Sequence, residues 1–359
     1  MTGTPETVPG SALDEPTGSS SALLLGPKRA ISPSADGQGV RAGEGEADVT
    51  RTIRIAAIGE CMIELRHLSG ATLELAFGGD TFNTAAYLAR VGGDRIAVDY
   101  ATALGDDPYS DAMREAIAAE GVGTDRIARL AGRLPGLYTI RVDARGERSF
   151  FYWRRDAAAR AMFDDAPGAA LAEALTSYDW LYLSGITLSI LAGDARERLF
   201  GVLADARRRG ARVAFDTNFR PRGWPDQEAA RAAMTRALGL ADLALPTFSD
   251  EAALFGDADP QATVARIAAL GVPEIAVKNG PDPILLRSGA VAETVDCPPV
   301  VRVVDTTAAG DAFNAAYLAA RIRGEPPGAA ARIGARLAGV VIGHRGAVID
   351  RAAMPSIWR

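Results

Sequence analysis

Cysteine and histidine are nearly absent: Cys61, Cys297, His67 and His344 are the only ones in 359 residues. Standing far apart, they exclude a disulfide framework and a transition-metal cage, and are read as structural or incidental. A reducing cytoplasm is the compartment this predicts. No apolar run approaches the ~20 residues needed to span a bilayer. Ala22–Leu25 is too short for the apolar core of a signal peptide, and the first residues are acidic rather than Arg- and Ser-rich. Neither secretion nor organelle import is therefore expected. Basic excess is also missing; the net charge of −6 argues against a nucleic-acid partner. Several enzyme signatures are lacking too: GxxxxGK[ST], HRD/DFG, GxSxG, HExxH and GxGxxG. Any phosphate chemistry must proceed without a P-loop.

The chain is long enough for one large α/β domain or two smaller ones. Residues 1 to about 50 are Gly, Ser, Pro, Thr and Glu with little periodicity, the composition of a disordered tail. From about residue 51 to the end, short apolar runs alternate with amphipathic stretches. Strands are expected at Ile53–Ile58, Ile96–Ala103, Trp180–Leu183, Val213–Asp216, Leu243–Leu245, Ile275–Lys278, Ile284–Leu286 and Val300–Val304. Helices are expected at Tyr109–Glu120, Ala195–Arg209 and Ala262–Leu270, each closed by glycine. The triplet Arg207–Arg209 reads as a solvated helix end. This alternation predicts an α/β fold with a doubly wound, mostly parallel sheet flanked by helices. Two stretches, within about 62–78 and 134–156, break the rhythm as antiparallel excursions. The second turns at Asp143–Glu147. Such insertions often form a lid.

Asp305-Thr306-Thr307-Ala308-Ala309-Gly310-Asp311 leads into an apolar-periodic helix, Phe313–Ile322. Small residues at 308–310 let a ligand approach the free N–H groups of a first helical turn, which attracts phosphate. Asp311 sets a carboxylate where a hydroxyl proton can be taken. Anion cradle and base on one turn read as phosphoryl transfer. A second marker, Gly78-Gly79-Asp80-Thr81-Phe82-Asn83, opens another helix. An Asp80 N-cap accounts for the aspartate, but not for two glycines followed by Asn83, a poor helix former.

Arg154 ends an aromatic strand and Arg220 follows the strand end Asp216-Thr217-Asn218. Ligands of open α/β sheets bind at strand carboxyl ends, and guanidinium suits carboxylate or phosphate. Which arginine takes which anion stays open at this level. Tyr138 and Tyr152 alternate with core residues on the proposed lid. They either pack the lid or bond a ligand oxygen while covering an apolar face.

The two glycine-bearing segments together resemble the signatures of the ribokinase-like (PfkB) carbohydrate kinases. The resemblance extends through Ile58–Leu65, Arg133–Tyr138, Phe151–Arg154, Leu183–Ile186 and Asp216–Pro221, and covers about residues 53–355. These segments are similar to the members that phosphorylate the sugar acid 2-keto-3-deoxygluconate (KDG) with ATP. The resemblance implies a ribokinase-like fold with a small β-strand lid. Asp311 would be the base, and the amides of Ala308, Ala309 and Gly310 the anion hole; the helix-start dipole would keep Asp311 ionised. Gly79, Asn83, Tyr138, Tyr152, Arg154 and Arg220 would meet the sugar acid. Asn218, Lys278 and Gly280, with Ala308 and Gly310, would meet ATP, although Pro281 and Pro283 depart from the usual loop. The family's Asn-x-x-Glu is altered in Thr247–Glu251. Glu251 either reaches Mg²⁺ through water or sits in a first helical turn. A homodimer through the lid is implied. The readings that remain beside this one are a fructokinase- or ribokinase-type enzyme for a neutral sugar and a catalytically silent sugar-acid sensor.

Overall fold

The computed structural model describes residues 51–142 and 148–358. The expected tail (1–50) and the expected lid turn (143–147) lie outside the described residues. Among the described residues thirteen strands follow the apolar runs: β1 Ile53–Ile58, β2 Met62–Ser69, β3 Thr72–Gly78, β4 Ile96–Leu104, β5 Ile127–Arg129, β6 Leu137–Val142, β7 Arg148–Trp153, β8 Trp180–Ser184, β9 Arg212–Asp216, β10 Leu243–Ala244, β11 Glu274–Asn279, β12 Asp282–Ser288 and β13 Val291–Val295. β1, β8 and β9 are buried nearly end to end, as sheet covered on both faces requires.

Nine strands form one sheet in the order β13-β12-β11-β10-β9-β8-β1-β4-β5. From β11 to β5 all pairs are parallel, and β12 and β13 add antiparallel at one edge. β1 pairs with β4 on one flank and β8 on the other, so the chain reverses its winding there. A crevice at the carboxyl ends of such strands is where ligands of open sheets bind. One apolar cluster packs the helices Asp80–Gly92, Ala309–Ile322 and Pro327–Val341 on one face. A second packs Asp194–Arg208, Gln227–Leu238 and Pro260–Ala269 on the other.

The two excursions fold as expected and join into a second sheet, β3-β2-β6-β7. The hairpins β2/β3 and β6/β7 are antiparallel and meet through a parallel β2/β6 pair. Register sets Glu64, Tyr138 and Tyr152 in one cross-strand row.

Val300–Val304 is not a strand. It runs without regular structure, Val301 fully exposed and Val303 largely so. Two preceding prolines remove donors, and β13 already occupies the sheet edge. The segment is pinned instead by Val304 and Asp305 amides donating to the Ile342 carbonyl, at 2.7 and 3.1 Å. The anion turn thus follows an irregular strap, not a strand.

Candidate active site

Four strand ends deliver polar side chains to the crevice: β1 leads to Glu60, β8 ends in Ser184, β9 in Asp216 and β11 carries Lys278. Against them lie the first turns of Asp80–Gly92 and Ala309–Ile322. Gly79 is N-cap of the former, and a Cβ there would fall 2.2 Å from the Glu60 carbonyl oxygen. Only glycine lets this turn pass so close. Asp80 is not the cap: it occupies the next position, and its carboxylate accepts from Asn218 Nδ2 at 2.7 Å.

Asp80, Asn83 and Thr84 share a helix face by their three- and four-residue spacing. Asn83 Nδ2 donates to Asp311 Oδ2 at 2.8 Å, and Thr84 reaches the Asp311 carbonyl at 3.4 Å. The two glycine-marked segments, 228 residues apart, therefore meet side chain to side chain. Ala308, the N-cap before Asp311, is left-handed at φ 60°, an uncommon conformation for a residue with a Cβ. The Ala309 amide bends back to Thr306 O at 3.3 Å, so it is partly engaged.

The expectation of an ionised Asp311 is corrected. Burial, then the charges of Asp80 and Asp216, push its carboxyl up to about 8 against the bond from Asn83 and the pull of Lys278. Desolvation in a pocket holding further carboxylates outweighs a helix dipole. Asp80 is itself raised, first by burial.

Lys278 is almost wholly buried. Its Nζ donates to Asp216 Oδ2 at 3.1 Å and Asn314 Oδ1 at 2.9 Å, and lies 3.5 Å from where a Cβ on Gly310 would stand. The ammonium therefore sits beneath the anion turn. Gly280, left-handed at φ 61°, turns β11 into β12. Asn218 has φ 28°, and its side chain is committed to Asp80 rather than to a nucleotide groove.

On the lid side, Tyr138 is buried and donates a short hydrogen bond to Glu64, its ring 5.8 Å from that of Tyr152. Its hydroxyl is thus taken up within the lid, whereas Tyr152 is half exposed. Arg154 forms a short ion pair with Glu60, a partner the sequence reading did not foresee. Arg220 pairs with Asp250 at 3.1 Å and keeps more than half its side chain accessible.

Glu251 takes the second of its two readings, a place in the first turn of the helix Phe248–Phe255. It is fully buried and held by Arg266 at 2.6 Å, inside a network with Asp257. Counting three residues on from Thr247, as Asn-x-x-Glu requires, lands on Asp250. That carboxylate faces Arg220, with Asp216 and Lys278 close enough to bias its titration. Also missed were Glu60, Asp80, Asp216 and Asn314. Asn314 carried the same mid-helix signal as Asn83.

The matches to known proteins agree with this geometry. The family model described as pfkB family carbohydrate kinase matches residues 52–353. The chain belongs to that family. A 2-dehydro-3-deoxygluconokinase of Escherichia coli K12 is 45% identical over 308 residues, covering 84% of this chain and 99% of that protein. The enzyme of the same name from Dickeya dadantii is 45% identical, covering 85% and 99%. Among solved structures, a fructokinase with bound ATP from Xylella fastidiosa superposes with a TM-score of 0.71 at 26% identity, covering 84% of this chain and 95% of that one. This pfkB-family carbohydrate kinase therefore carries a ribokinase-like fold. Among the described residues no helix is long and apolar enough to cross a membrane.

Proposed function

We propose that this kinase transfers the γ-phosphoryl of ATP to the terminal hydroxyl of 2-dehydro-3-deoxy-D-gluconate (KDG), giving its 6-phosphate. The observation that carries the reading is a set of buried polar atoms without partners, Asn83 Oδ1 beside Asp311, and Glu60 Oε1 with Arg154 Nε across their ion pair. Buried polar groups are costly unless bonded, so open acceptors and a cationic donor suit a ligand that offers both hydroxyl hydrogens and acceptor oxygens, as a sugar acid does. The relatives at 45% identity carry the name of the KDG enzyme.

Asp311, held by Asn83, takes the proton of the attacking hydroxyl. Lys278 and the amides of the turn at Ala308–Gly310 receive charge building on the phosphoryl oxygens. Arg154 serves the acid end, with Tyr152 along the sugar; Gly79 contributes its backbone. Arg220 stands toward the phosphates. Asn218 acts by fixing Asp80, and Gly280 shapes the turn beside the nucleotide.

No group of three or more His, Cys, Asp or Glu among the described residues forms a metal cage. Magnesium characteristically binds through one or two carboxylates plus substrate phosphates, and Asp250 is the carboxylate that fits. When bound, the ion would neutralise phosphate charge beside the carboxylates of Asp80 and Asp216, which Lys278 and Arg220 also offset. The exposed apolar residues Leu73 and Leu75 on β3, and Phe151 and Trp153 on β7, support a homodimer through the lid. The nearly cysteine-free sequence supports a cytoplasmic setting.

A coupled ADP-release assay over KDG, gluconate, fructose and ribose tests the assignment. KDG should be the preferred acceptor; turnover with fructose and none with KDG overturns it.

A further inference from the structure

Glu60 is buried to 2% exposure, directly after the first strand of the main sheet. One of its oxygens takes the guanidinium of Arg154, while the other, Oε1, has no partner. The Arg154 Nε is buried and unpartnered as well. An orphan acceptor and an orphan donor thus lie side by side, fixed to each other through the ion pair. A Cβ on Gly136 would stand 2.5 Å from Oε1, so only glycine lets the backbone come this close to that oxygen.

The charges nearby matter for what can enter. Arg154 and Glu60 cancel, but Arg160 adds a second positive charge near Glu60, and Asp80 a negative one further along. An arginine without its carboxylate partner would serve a plain anion. The pair as built asks for a molecule that offers an acceptor and, a few ångströms away, a hydroxyl hydrogen. The acid end of a 2-keto-3-deoxy sugar acid has that chemistry: carboxylate and keto oxygens, then the first hydroxyl at C4.

We propose that Glu60 is a specificity-determining residue of the sugar site, its free oxygen accepting the C4 hydroxyl while Arg154 takes the acid end. The proposal rests on the KDG reading above. It gives Glu60 a role in telling KDG from its C4 epimer, the galactonate-derived acid, because inverting C4 points the hydroxyl away from Oε1. A site built to bond a hydroxyl discriminates strongly, since a mispositioned partner leaves the buried acceptor unpaired.

The test is steady-state kinetics of wild type and Glu60→Gln with KDG, the C4 epimer and ATP. The amide keeps an oxygen for Arg154 but turns the free acceptor into a donor. Wild type should favour KDG. In the variant the KM for KDG should rise roughly 10- to 100-fold, as for a lost charge-assisted bond. The ratio of kcat/KM between epimers should collapse towards unity while the KM for ATP stays put. Equal losses on both epimers, preserving the ratio, would mean that Glu60 only positions Arg154, and would overturn the proposal. So would an unchanged KM for KDG, or a wild type indifferent to the epimer. A wild type inactive on both acids but active on fructose sinks the substrate reading, and this proposal with it. Should Glu60→Gln fail to show a normal thermal unfolding transition, Glu60→Asp carries the same test, since it keeps the charge pair but withdraws the oxygen.

Discussion

The raised titration of Asp311 makes a prediction that separates this site from one with an ordinary carboxylate base. Desolvation and the charges of Asp80 and Asp216 lift it from its usual 3.8 to about 8. Only the ionised form accepts the hydroxyl proton. At pH 7 roughly one free enzyme molecule in ten is then competent, and at pH 6 about one in a hundred. With KDG and Mg-ATP both kept well below their KM, the rate reports the free enzyme. It should climb about tenfold per pH unit from 6 towards 8 and level off above. A base at the ordinary carboxylate value would give a flat profile over this range. Such flatness, with the enzyme folded throughout, would refute the electrostatic account. Asp80→Asn removes the leading charged contributor and should move the limb to lower pH.

The same group couples to stability, with a defined sign. Its folded value is raised above the unfolded one, so between about 4 and about 8 the native protein holds a proton that the unfolded chain has released. Its contribution is complete below that window and is lost as pH rises through it. Unfolding midpoints should fall across the window, and Asp311→Asn should flatten that part of the curve. A curve equally steep in the variant would assign the dependence to other groups.

Three further substitutions probe the site. Asp311→Asn should lower turnover by several orders of magnitude while KDG still binds by calorimetry, because only the base is lost; near-normal turnover would refute its role. Gly79→Ala forces a methyl to 2.2 Å from the Glu60 carbonyl oxygen and should cost about 1–3 kcal/mol in urea unfolding. An unchanged midpoint would show that the turn can shift. Lys278→Met leaves Asp216 buried with one donor fewer and should cost about 3 kcal/mol or more of stability while raising the KM for ATP; full stability and an unaltered KM would exclude both functions.

How much of this was legible in the sequence depends on which interactions are local. β1 was read to the residue, because a buried parallel strand is a continuous apolar run. The antiparallel excursions showed as breaks in the rhythm, and the two glycine-marked segments stood out by residue types that propensity alone does not explain; that they meet is seen only in the fold. Val300–Val304 misled because a β-branched run states a preference, and the neighbour that would satisfy it is absent: β13 had taken the edge.

The site failed to be legible where charge partners come from distant chain segments. Arg154 was named without its partner Glu60, 94 residues away, and Arg220 without Asp250. Asp311 was named from its own turn, but its titration was expected in the opposite direction. That value is set by carboxylates of Asp80 and Asp216, contributed by other elements, and by a depth of burial that no local pattern encodes. A helix dipole can be read from one segment. The opposing field is a property of the assembled crevice, and at Asp311 the assembled crevice prevails.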